Sequence, residues 1–100
     1  MMKRTLAAGL FLAACTPAAM AEPYPFEGRW DCEVGEFTFT DTTYDPGGEE
    51  MQILDVAQDG DSFVLTFADD YQIGLDINPD GTMQWFSAAS GDSFTCRPLP

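Results

Sequence analysis

Asp76, Asn78 and Asp80 place oxygen ligands at alternate positions and lead into Gly81, the first half of a calcium-loop pattern. The twelfth position of that pattern is Ser87 instead of a chelating Glu. Asn-Pro-Asp-Gly at 78–81 is also an ordinary hairpin turn, so these three residues make only a weak calcium candidate. Asp69-Asp70 and Glu49-Glu50 are the adjacent carboxylates from which the acid and base of a glycosidase would be drawn, but both pairs fall in predicted turns. The chain has no His, and its one Lys is Lys3. A Ser or Cys nucleophile therefore lacks the usual base, Schiff-base chemistry lacks an amine, and zinc sites built on Cys and His are excluded. The expectation is a protein that is not an enzyme and carries no cofactor.

The remaining reactive groups are Cys15, Cys32 and Cys96. Met1-Met2-Lys3-Arg4 is a basic head, residues 5–14 are apolar, and Ala19-Met20-Ala21 is a small-x-small cleavage motif before Glu22. This is the layout of a secretory signal peptide over residues 1–21. Leu12-Ala13-Ala14-Cys15 also resembles a bacterial lipobox, in which the cysteine is acylated and becomes the new N-terminus. The two readings give a periplasmic protein or an outer-membrane lipoprotein, and both dispose of the odd thiol. Neither leaves a transmembrane helix, because the apolar run is far below the ~20 residues that a span requires. Export implies an oxidising compartment, so Cys32 and Cys96 are expected to form a disulfide.

Residues 22–100 form one small domain of 79 residues, which holds all 17 acidic residues against Arg29 and Arg97, a net charge of −15. Such a surface repels nucleic acid and anionic headgroups and attracts cationic partners. Aromatic and aliphatic residues are too frequent and too regularly placed for a disordered chain.

What positions these groups is a set of strands. Turn signals at 34–36, 45–48, 59–60, 69–70, 78–81 and 90–91 recur about every ten residues, as in an all-β sandwich or barrel. Between them the apolar residues alternate. Phe26, Gly28, Trp30, Cys32 and Val34 share one face, and Tyr71, Ile73, Leu75 and Ile77 share another. Phe37, Phe39, Phe63, Leu65, Phe67, Met83, Trp85, Phe94 and Cys96 extend the inner set. A period of two with one wet face identifies antiparallel strands. Six turns make about seven strands, an up-and-down meander forming a compact barrel, with a sandwich as the alternative. Asp59-Gly60 reads as a two-residue type I′ turn.

Residues 51–56 break the alternation, since Ile53, Leu54 and Val56 cannot all face inward. A bulge or a strand buried on both faces is expected there. The cysteines fall on the first and last strands, 64 residues apart. Seven up-and-down strands would run the first and last parallel, so either an eighth short strand is expected near Tyr24 or at 98–100, or the meander folds over itself. Tyr44, Leu54, Val64 and Phe86 are the outward-facing apolar candidates for a contact surface.

Two resemblances follow from these residues. Gly28-x-Trp30 resembles the G-x-W signature on the first strand of lipocalins, over three residues of a chain about half a lipocalin's length. The expected role of the Trp is to plug the end of a small β-core. The order Trp30-Asp31-Cys32, Trp85, Cys96 is similar in layout to the small periplasmic and membrane-bound inhibitors of C-type lysozyme. The Ser-Gly-x-x-Tyr type motif and following Lys-Gly of those inhibitors have no counterpart here; Ser90-Gly91-Asp92-Ser93-Phe94 is the nearest segment. The function class expected is an exported, non-catalytic envelope binding or accessory protein. Its alternatives are an acidic inhibitor of a cationic hydrolase and a calcium or small-ligand carrier.

Overall fold

A computed structural model describes residues 22–100. The signal and lipobox readings, with Cys15, lie outside the described residues. The described chain is nearly all β, with nine antiparallel strands: β1 Gly28–Asp31, β2 Glu36–Phe39, β3 Thr43–Asp45, β4 Met51–Gln52, β5 Asp55–Asp59, β6 Ser62–Thr66, β7 Gln72–Ile77, β8 Met83–Ser87 and β9 Asp92–Pro98. They form one sheet in the order β4-β3-β2-β1-β9-β8-β7-β6-β5, curled into a half-barrel. Strands adjacent in sequence pair with each other, except that β4 and β5 lie at opposite edges of the sheet. Among the described residues the one pairing between strands distant in sequence is the β1–β9 seam, where Asp31 opposes Arg97 and Trp30 opposes Pro98.

The two edge strands, β4 and β5, are consecutive in the chain. At 53–54 the backbone leaves one partner for another: the Ile53 amide donates to Thr42 O at 2.8 Å, and the Leu54 amide donates to Thr66 O at 2.7 Å. The broken alternation at 51–56 therefore marks a change of partner. It is neither a doubly buried strand nor a bulge, since Leu54 is 64% exposed while Ile53 and Val56 are half-buried.

The extra strand that makes the first and last antiparallel is β3, not a segment near Tyr24 or at 98–100. It is preceded by a turn without Gly or Pro. Thr40 Oγ1 accepts from the Thr42 and Thr43 amides at 3.2 and 2.9 Å, so a hydroxyl does the work of a glycine there. The hairpin joining β5 and β6 also differs from expectation. Its central residues are Gly60 and Asp61, and only Gly60 has positive φ (63°), the pattern of a type II′ turn.

The core is a block of aromatic rings. Phe26 is fully buried, edge-on to Phe39 and Phe63 at 5.7 and 5.1 Å between centroids. Trp30 is buried in the same core, its indole N–H donating to Phe26 O at 2.8 Å. Edge-to-face and offset pairs are the arrangements that ring quadrupoles favour. Val34, expected to face inward, is 65% exposed, because β1 ends at Asp31 and a tight turn at 32–35 carries it outside.

Cys32 and Cys96 are joined, both fully buried, with Cα atoms 4.0 Å apart. They extend the β1–β9 register by one pair and seal a seam that otherwise has two paired positions. A closed loop of 64 residues is worth roughly 4 kcal/mol in the chain-entropy account, comparable to the ~5 kcal/mol total stability of a domain this small.

Candidate contact surfaces

The four apolar residues expected to face outward take three different places. Tyr44 is a correction: it is 2% exposed. On β3 it opposes Phe39, with the rings stacked at 4.7 Å, and it packs on Phe37 and Phe67. Burial holds its hydroxyl neutral well above the usual phenol range. The Trp85 indole N–H is buried without a hydrogen-bond partner, although it lies close enough to Tyr44 to oppose that shift slightly.

Val64 and Phe86 come together. Strand register places Ala57, Val64, Gly74, Phe86 and Ser93 in one row across five strands of the outer face. Val64 is 40% and Phe86 46% exposed. Gly74 sits between them with open space where a Cβ would be, so it leaves a notch in an uncharged row. The adjacent row, Asp59, Ser62, Asp76, Gln84 and Thr95, is polar and internally bonded: Ser62 Oγ donates to Asp76 Oδ1 at 2.6 Å and Thr95 Oγ1 to Gln84 Oε1 at 3.1 Å.

Leu54 stands apart, beside a groove of about 490 Å³ at the β4–β5 switch. The apolar part of the groove is Met51, Leu54, Phe67 and Tyr71, and its acidic part is Glu49, Glu50 and Asp69. Glu49, Glu50 and Asp69 are exposed. Among the described residues the ion pair formed is Arg29 with Glu36, at 3.0 Å across β1 and β2, so no cation of the described chain pairs with the groove. Asp69 and Asp70 both take positive φ (61°) in the turn between β6 and β7, a conformation that Asp and Asn tolerate better than most other residues. The sequence did not single out Glu49, Glu50 and Asp69 as one surface, because they lie in separate turns. The signal that could have found them is the break in alternation at 51–56, where the strand switches partner.

The calcium-pattern residues are engaged within their own hairpins. Asp76 accepts from Ser62, and Asp80 Oδ1 accepts from the Thr82 amide at 3.0 Å and the Thr82 hydroxyl at 2.6 Å. Those bonds hold the Asp80 carboxyl below its ordinary range. Asn78 Nδ2 donates to Thr82 Oγ1 at 2.9 Å, completing the turn. No group of three or more Asp, Glu, Cys or His residues suited to a metal ion occurs among the described residues. Of the adjacent carboxylates, Glu49 and Glu50 reach the groove with Asp69.

No helix among the described residues is long and apolar enough to cross a membrane. No protein-family model, curated protein or solved structure matches the chain.

Proposed function

We propose that the protein is an exported, non-catalytic binding module of the bacterial envelope whose acidic surface engages a cationic protein. The observation that carries this reading is the uncompensated charge. Seventeen acidic residues face two arginines in residues 22–100, and one arginine is already held by Glu36 and by Pro100 O. Opposite charge across an interface accelerates encounter and makes binding salt-sensitive.

Three further observations support it. The signal-like residues 1–21 and the Cys32–Cys96 bond are consistent with an oxidising compartment, either the periplasm or the outer membrane if Cys15 is acylated. Buried aromatic rings pack on one another along the inner face, an arrangement that suits a binding surface on the outside of the domain better than an internal ligand cavity. The groups that nucleophilic catalysis relies on, His and Lys, are missing from residues 22–100.

The test is affinity capture from native envelope extract on the disulfide-intact protein, eluted in salt steps, followed by rebinding of the purified partner. A basic protein released by modest salt supports the reading. An empty eluate, or a partner that salt does not release, overturns it. A cationic hydrolase such as a C-type lysozyme is the narrower form of this reading, motivated by the order Trp30-Asp31-Cys32, Trp85, Cys96. Undiminished lysozyme activity at low salt in the presence of the protein removes that form.

A further inference from the structure

We infer that the groove at the β4–β5 switch is the docking site, and that it takes a segment of a cationic protein in which a Lys or Arg lies beside an apolar side chain. This deepens the cation-binding reading above and rests on it. Two features at one place select that occupant. The first is an apolar side chain without a cover: Leu54 is 64% exposed at the point where the strand changes partner, in a groove also lined by half-buried Met51 and Tyr71 and by buried Phe67. The second is charge without a counterpart, since Glu49, Glu50 and Asp69 approach the groove from two different turns and no described cation pairs with them.

A purely apolar ligand leaves those carboxylates without a partner, and a polycation without apolar groups leaves Leu54 in water. A segment that sets an apolar side chain beside a cationic one satisfies both: the apolar group covers Leu54, and the Lys or Arg holds its charge near water against the carboxylates. The outer row of Ala57, Val64, Gly74, Phe86 and Ser93 is apolar but uncharged, so it supplies only half of this recognition.

The experiment uses the exported, disulfide-intact protein and three short synthetic peptides of equal length: alternating Lys–Leu, Lys–Gly and Glu–Leu. Binding is measured by titration and located from amide shifts in NMR spectra. The expected result is that only the Lys–Leu peptide binds well, with the largest shifts at 49–54 and 67–71, and that raising salt from about 50 to about 300 mM weakens it strongly. Glu49→Gln/Glu50→Gln/Asp69→Asn is expected to weaken that peptide about tenfold. Asn keeps the tolerance for positive φ at position 69. Leu54→Ser is expected to weaken it about fivefold.

Equal binding of Lys–Leu and Lys–Gly peptides overturns the inference, because bulk charge alone would then be acting. Largest shifts at Val64, Gly74 and Phe86, or shifts spread evenly over the acidic face, also overturn it while leaving the cation-binding reading intact. Failure of every cationic probe and of every cationic envelope protein to bind overturns both.

Discussion

The strands β1–β4 and β5–β9 meet at two junctions of opposite character. At the β1–β9 seam the chain ends are far apart in sequence, two residue pairs are in register, and a buried disulfide completes the contact. At the β4–β5 switch the chain is continuous, so no staple is needed, and the junction stays open with Leu54 exposed and carboxylates around it. The described sheet is a half-barrel with one stapled seam and two unpaired edges. Where pairing joins distant segments a disulfide reinforces it, and where the chain passes between the two edges Leu54 stays exposed.

The largest expected effect falls on the sealed junction. Reducing the disulfide, or replacing both cysteines with Ser, is expected to lower stability by roughly 4 kcal/mol in urea unfolding. An unchanged midpoint would mean that the β1–β9 pairing holds without it. Next is the alkaline limit. The raised Tyr44 value means that its contribution is fully present below the ordinary value of 10.0 and is lost as pH rises towards the folded value. Phenolate absorbance for Tyr44 should therefore appear together with loss of the near-UV circular dichroism signal, and a separate earlier step would contradict its burial.

Thr40→Ala removes the hydroxyl that closes the β2–β3 turn and is expected to cost about 1 kcal/mol in the same unfolding assay. Gly74→Ala, at an ordinary φ with open space for the Cβ, is expected to gain about 0.5 kcal/mol, and a loss would reveal packing over the notch. Smallest of all, Leu54→Ser at the open junction should leave stability within about 0.5 kcal/mol.

How legible each junction was in the sequence follows from how it is built. From β5 to β9, turns marked by Gly60, Asp69-Asp70, Gly81 and Gly91 and a regular alternation announce the strands, and the inward set of Phe63, Leu65, Phe67, Ile73, Leu75, Met83 and Trp85 is buried as its spacing predicts. The disulfide was legible for the same reason, since both cysteines keep the alternation of the inner face. From β1 to β4 the signals are weaker. The turn at 40–43 is closed by a threonine hydroxyl instead of glycine, so the alternation gives no sign of a separate β3 or that Tyr44 faces inward.

The groove was the least legible feature. Glu49, Glu50, Leu54 and Asp69 meet only because the chain changes partner at 53–54, and a period-of-two reading registers that change as an irregularity without saying what it exposes.

The most direct test of the contrast between the junctions pairs two readings on one variant. The Glu49→Gln/Glu50→Gln/Asp69→Asn protein is measured for affinity to the Lys–Leu peptide and for melting temperature. The open junction, as proposed, predicts a loss of affinity of about tenfold with the melting temperature unchanged or slightly raised. Full affinity in a normally folded variant would contradict it.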